Sequence, residues 1–278
     1  MGRLILRSKH RLLCGDSRSP EAVDRLLDGK RIAIAITSPP YASQRKYDES
    51  SGFVPIPPDQ YVDWWEPIQE NVRQHLAPDG SFFVNIKEHC EDGQRHLYVK
   101  DLTLAHVRRW GWMFVDELIW KKPGLPGGWP NRFKNDFEPV FHFASQQDIK
   151  FRPLAVGHES DHIRVYDGGS SFSPHGNITV EGEFRSGIAR PGNVIEVAGA
   201  DGSHPVAFPI GLPAFFIKAF SDADDLIYEP FCGSGTTLIA AEQLGRQCAA
   251  MEISPSYCDI SVARWERFTG QKAVRWES

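Results

Sequence analysis

Tyr228-Glu229-Pro230-Phe231-Cys232-Gly233-Ser234-Gly235-Thr236-Thr237 decides how the rest of the chain is read. The apolar run Leu226-Ile227-Tyr228 leads into it and reads as a buried strand. Leu238 to Gly245 follows, with apolar residues at helical spacing and a glycine at its stop. A strand, a glycine turn and a helix form a corner suited to a nucleotide-type ligand, because glycine lets backbone approach closely. The dinucleotide fingerprint is absent: the glycines are too few, and an acid precedes them. The next strand, Gln247 to Met251, ends in Glu252, where a carboxylate can accept hydrogen bonds from ribose hydroxyls. Alone, the Gly-x-Gly pattern also fits a plain strand-to-helix turn.

A second stretch narrows the choice. Ile32-Ala33-Ile34-Ala35-Ile36 reads as another buried strand and runs into Thr37-Ser38-Pro39-Pro40-Tyr41. Two prolines end a strand and stiffen its exit. Taken together, Glu-Pro-Phe-Cys-Gly-Ser-Gly-Thr-Thr and Ser-Pro-Pro-Tyr resemble the S-adenosylmethionine-dependent DNA aminomethyltransferases. The order, with Ser-Pro-Pro-Tyr first, resembles the beta class, and the likeness extends over most of the chain. One departure stands out: the family more often has Asp where this chain has Glu229.

The resemblance implies an α/β, Rossmann-like methyltransferase fold. Its sheet is mostly parallel, with helices on both faces and an inserted target-recognition region. It implies a catalytic half over residues 1–144, the insertion over 145–203 and a cofactor-binding half over 204–278. S-adenosylmethionine would be held by Asp16, His204, Glu229, Phe231, Gly233, Ser234, Gly235, Thr236, Thr237 and Glu252. Ser38 and the Pro39 carbonyl would accept the two hydrogens of the target amine, Pro40 would stiffen the turn, and Tyr41 would stack on the base. In this family Ser before Pro-Pro-Tyr goes mostly with the N4 amine of cytosine, and Asp or Asn mostly with the N6 amine of adenine. Adenine therefore stays as the alternative, and a catalytically silent DNA-binding partner as a third reading. A double-stranded DNA substrate, a homodimer and a cognate restriction endonuclease complete what the likeness implies.

The chemistry is consistent with these residue types. An exocyclic amine is a poor nucleophile because its lone pair is delocalised into the ring. Fixed acceptors for both hydrogens localise that pair, a preorganised electrostatic arrangement. Direct displacement needs neither an enzyme nucleophile nor a metal, and no metal is expected. Methylation at cytosine carbon 5 would need a Pro-Cys pair, and no cysteine here follows a proline.

Composition sets outer bounds. The 278 residues carry a net charge of −5, so any DNA-binding surface must be local. Lys121, Lys122, Arg132, Arg164, Arg185 and Arg190 are the candidates, with His175 and Asn177 beside them. For each single residue an ordinary solvated side chain is the simpler reading. The five cysteines show no metal spacing and no disulfide framework, which points to a reducing cytoplasm. No apolar run approaches a membrane span.

Elsewhere the pattern predicts a short strand from Arg11 to the Gly15-Asp16 end. A helix over Pro20 to Leu27 follows, capped by Asp16 or Ser17. It also predicts a loop over 42–58, a helix over 59–76 with Trp64 and Trp65 in the core, and a turn at 77–80. Strands over 81–86, 112–120 and 136–144 and helices over 96–110, 210–220 and 255–268 complete the reading. Arg264 and Arg267 read as surface charges, and 145–202 as an irregular insertion.

Overall fold

The computed structural model describes residues 4–5, 9–42, 52–122, 131–166, 184–197 and 209–276, with the backbone alone at 4–5, 160–166, 184–186 and 275–276. Strand β1 is Leu4–Ile5 and β2 is His10–Cys14; helix α1 is Pro20–Leu27 and β3 is Ile32–Thr37. Helix α2, Tyr61–His75, leads into β4, Leu76–Asn85, and then to the short strands β5, Cys90–Glu91, and β6, Gln94–Arg95. Helix α3 is Tyr98–Arg108, followed by β7, Met113–Lys121, and β8, Phe137–Ala144. Next come β9, His158–Tyr166, β10, Phe184–Ala189, and β11, Val194–Glu196. The chain ends with α4, Gly211–Phe220, β12, Leu226–Glu229, α5, Thr236–Gln243, β13, Gln247–Glu252, α6, Pro255–Thr269, and β14, Arg275–Trp276.

Ten strands form one sheet in the order β11-β7-β8-β4-β3-β12-β13-β2-β1-β14. The adjacent strands β4, β3, β12, β13 and β2 are mutually parallel. Strands β8 and β1 are reversed relative to them. The expected α/β architecture with a mostly parallel sheet is therefore present. The antiparallel steps are where β8 pairs with β7 on one side and with β4 on the other.

The central strands are apolar throughout because both faces are covered. Ile32 and Ala35 of β3, Tyr228 of β12 and Met251 of β13 pack on one side with α1, α2 and α3. Ile34 and Ile36 of β3, Ile227 of β12 and Cys248 of β13 pack on the other with α4, α5 and α6. Trp65 is fully buried, stacked on Phe82 and donating to His106 Nε2 at 2.9 Å, as its core assignment requires.

Three local expectations need correction. The cap of α1 is neither Asp16 nor Ser17 but Ser19, whose Oγ accepts from the Ala22 amide at 3.2 Å. Asp16 instead holds Arg18. Residues 77–80 are drawn into β4 as an irregularity in its ladder with β3: Ile32 faces Leu76, but Ile34 faces Ser81. The insertion is not wholly irregular, because β9 and β10 form an antiparallel pair and β11 returns to the main sheet beside β7. Among the described residues no helix is long and apolar enough to cross a membrane.

Candidate active site

In a parallel sheet all strands end at the same edge. Here Ser38, the glycine loop and Gly15-Asp16 follow β3, β12 and β2, and Glu252 is the last residue of β13; the four strands are neighbours in the order β3-β12-β13-β2. Adjacent strands are spaced by about 4.8 Å, so the four groups share one short row. The chain leaves β3 toward β4 and leaves β12 toward β13, in opposite directions. A crevice opens where the winding reverses, and ligands of open α/β sheets bind there.

The glycine loop is tightly organised. Glu229 is 1% exposed; its Oε1 accepts from the Phe231 amide at 3.1 Å and its Oε2 from Thr237 Oγ1 at 2.8 Å. Burial pushes this carboxyl up to about 8, although both hydrogen bonds favour the anion. Gly233 and Gly235 have φ of +53° and +82°, in the left-handed region that favours glycine. A Cβ on Gly235 would meet Ser261 Oγ at 3.1 Å, whereas one on Gly233 would meet nothing within 4 Å. The Gly233 side is thus open to a ligand, and the Gly235 side is packed on α6.

Glu252 closes the loop from the next strand. Its Oε2 accepts from the Gly233 amide at 2.7 Å and its Oε1 from the Ser254 amide at 2.9 Å. A carboxylate offers about four acceptor positions, more than these two amides take. Gly15 joins the same corner by donating its amide to the Glu252 carbonyl at 2.9 Å. Asp16 follows, and its carboxylate takes both Nε and Nη2 of Arg18 at 2.9 and 2.7 Å. Phe231 lies over Trp65 and Trp64, with ring centroids 6.2 and 5.7 Å away. Ser234, Thr236 and Thr237 are buried. Expected cofactor residue His204 lies outside the described residues.

The Ser38–Tyr41 turn is clamped from two sides. Tyr61 donates its hydroxyl to the Pro40 carbonyl at 2.6 Å, and Tyr41 donates to Glu138 Oε2 at 3.2 Å. Tyr41 is 6% exposed, so in this conformation it braces the turn and offers little face for stacking. Ser38 is half-buried, and its hydroxyl makes no hydrogen bond to another described residue.

Glu138 and Arg264 were not read from the sequence as parts of the site. Glu138, 5% exposed, also receives Lys122 and, at 3.3 Å, Lys87. Arg264 is not simply a surface charge: its Nη1 donates to the Ser234 carbonyl at 3.1 Å and to Thr236 Oγ1 at 3.0 Å, tying α6 to the glycine loop. Glu138 carries no sequence signal, because its partners are remote in the chain; Arg264 stands in a Tyr257-x-x-x-Ser261-x-x-Arg264 pattern that resembles a helix of this family, but the pattern alone does not show its contact with the glycine loop.

The basic candidates fare unevenly. Lys122 turns inward to Glu138 and lies 4.3 Å from the Trp120 ring. Lys121 pairs with Glu196 at 2.8 Å at the surface, which cancels its charge locally. Arg132 is half-buried and Arg190 exposed. Arg164 faces Ser186, and Arg185 faces Val165, in the β9–β10 register.

The protonation of Glu229 has a measurable consequence. Its folded-state value lies above the ordinary 4.5, so between about pH 4.5 and 8 the folded protein holds a proton that the unfolded chain has released. Stability contributed by this group falls as pH rises through that window. Glu229→Gln removes the titration, so thermal melts should show the variant gaining on the parent from about pH 5 to about pH 9. A gap between the two that stays constant with pH would contradict the buried, protonated carboxyl.

Comparison with known proteins agrees with this geometry. Residues 32–263 match the DNA methylase family. The type II methyltransferase M.PvuII of Proteus hauseri is 26% identical over 265 residues, which cover 84% of this chain and 78% of that protein. Among solved structures, the PvuII DNA methyltransferase, described as cytosine-N4-specific, superposes with a TM-score of 0.69 at 23% identity, covering 94% of this chain and 87% of that one. The complex of M1.HpyAVI with SAM gives 0.54 at 16% identity, covering 92% and 99%. At such identities the structural likeness establishes a shared fold.

Proposed function

This chain belongs to the DNA methylase family, and from that premise we propose that it methylates the N4 amine of a cytosine flipped out of duplex DNA. The methyl donor is S-adenosylmethionine, which when bound supplies an electrophilic methyl group on its sulfonium sulfur. The open Gly233 face, the acidic strand end at Glu252 and the row of strand termini suit a ligand with a ribose and an extended tail. Glu252 would hold the ribose hydroxyls, Glu229 and Arg264 would fix the loop, and Asp16 would lie at the adenine end.

The observation that carries the reading is the placement of Ser38 beside this loop, on the strand next to β12, with its hydroxyl uncommitted among the described residues. Ser38 Oγ and the Pro39 carbonyl would each accept one amine hydrogen and localise the lone pair. Tyr61 and the Tyr41–Glu138 pair hold those acceptors in place before substrate arrives, so little reorganisation remains for the reaction. Extruding the base costs on the order of a few kcal/mol. The same acceptors fit the N6 amine of adenine; the cytosine-N4 description of the PvuII neighbour and Ser at position 38 favour cytosine.

Transfer of tritiated methyl from S-adenosylmethionine to duplex DNA tests the reading. Cofactor binding without transfer to any DNA would instead support a silent DNA-binding partner.

In the same proposal residues 1–144 form the catalytic half, 145–203 the target-recognition region and 204–278 the cofactor half. Arg185 of β10 and Arg190, just after that strand, would contact phosphates. Arg185→Ala with Arg190→Ala should then weaken DNA binding and lower the slope of log affinity against log salt by about two. An unchanged slope would remove this part of the insertion from the contact surface. A cognate endonuclease, as the type II relatives suggest, and a homodimer extend the proposal.

A further inference from the structure

Beyond β4 the chain makes a small hairpin whose side chains the methyl-transfer reading does not use. Strands β5 and β6 pair with Cys90 opposite Arg95 and Glu91 opposite Gln94. Asp92 and Gly93 close it with φ of +49° and +82°, both positive as a tight two-residue hairpin turn demands. One rung before this ladder, the His96 amide donates to the His89 carbonyl at 3.0 Å. His89 and His96 are therefore cross-strand neighbours, and Glu91, two residues from His89, shares their face.

Three ligand atoms converge on that face. His96 Nε2 lies 3.0 Å from Glu91 Oε2, and His89 Nε2 lies 3.7 Å from the same oxygen. One ligand atom from each of the three residues lies within 4.8 Å of the other two. A tetrahedral ion with bonds of about 2.0–2.1 Å needs ligand atoms roughly 3.3 Å apart. His89 Nε2 faces Glu91 from beyond hydrogen-bond length, a separation that an ion bridging the two would fill. The two imidazoles have centroids 4.3 Å apart, a separation at which two positive rings would repel.

We propose that His89, Glu91 and His96 form a site for one divalent transition-metal ion of the zinc class, with the fourth position open. Two imidazoles and one carboxylate are a donor set that suits zinc. The site takes no part in the displacement itself; it acts as a clamp on the hairpin. It stands close to the catalytic turn. The His89 ring is 6.4 Å from Tyr98, Tyr98 packs 4.9 Å from Tyr61, and Tyr61 holds the Pro40 carbonyl. Tyr98 also donates to the carbonyl of Lys87, whose ammonium reaches Glu138. An ion at the hairpin would thus stiffen the support of the turn.

The test is to strip the full-length protein with chelator and titrate it with Co²⁺, reading the visible absorption that tetrahedral cobalt gives. One equivalent should bind and be displaced by Zn²⁺. Glu91→Gln and His96→Ala should each weaken uptake by more than about 10-fold. Both side chains are at least partly exposed, and circular dichroism checks that the variants remain folded. Cys90→Ser should leave uptake intact, because Cys90 is on the opposite face of the hairpin. Failure to take up cobalt would overturn the proposal. So would uptake that survives His96→Ala, or uptake that is lost in Cys90→Ser.

Discussion

Ser38→Ala is expected to lower kcat for methyl transfer by on the order of 10²- to 10³-fold, the scale seen when one preorganised polar partner of a transition state is removed. Cofactor affinity and melting temperature should remain as in the parent. The hydroxyl anchors nothing else among the described residues, and the fold around it is held by β4 and β12 on either side of β3. Pro39→Ala gives a useful contrast. It keeps the carbonyl acceptor and loses only ring stiffness, while Tyr61 and Glu138 still hold the following residues. Its loss of rate should therefore be the smaller of the two. Single-turnover kinetics at saturating cofactor separate the cases, and a Ser38→Ala enzyme with parental kcat would remove the hydroxyl from the chemistry.

Glu252→Ala is the second large effect. The carboxylate already accepts from two backbone amides, and in the proposed complex it also accepts from ribose hydroxyls. A hydrogen bond to a charged group contributes roughly 1.5–3 kcal/mol, so S-adenosylmethionine should bind roughly 10- to 100-fold more weakly. Glu252→Gln keeps one acceptor oxygen and should fall between parent and alanine variant. Calorimetric titration measures both, and an unchanged affinity in Glu252→Ala would take this residue out of the cofactor site. The Ser254 cap of α6 bounds any structural damage, since its Oγ still accepts from the Tyr257 amide.

The sheet's centre was legible because each of its strands is buried on both faces. The apolar runs at 32–36, 226–228 and 247–251 stand out without alternation, and each ends in a residue of unusual chemistry. Helix α1 was legible through Pro20 at its start and Asp28-Gly29 at its stop. Direction was harder to read: nothing in 112–144 says that β8 runs against β4, except the lack of helix-forming periodicity between β7 and β8. Partners far apart in the chain left no trace at all. Glu138 sits among Phe137, Pro139 and Val140 and gives no hint that Tyr41, Lys87 and Lys122 will converge on it. Arg264 looks like any charge on an amphipathic helix until α6 is laid against the glycine loop. Lys122 looked available to DNA for the same reason. The histidine face of the β5–β6 hairpin escaped because cysteine spacing was the metal signal sought, and His89 meets His96 only once the Asp92-Gly93 turn forms.

One measurement bears most directly on the account. Duplex DNA methylated by the purified protein with labelled S-adenosylmethionine is digested to nucleosides, and the product is identified by mass spectrometry against authentic standards. The account predicts N4-methyldeoxycytidine, formed far more slowly in Ser38→Ala. N6-methyldeoxyadenosine alone would contradict the cytosine assignment, and absence of any labelled nucleoside while the cofactor binds would contradict methyl transfer to DNA altogether.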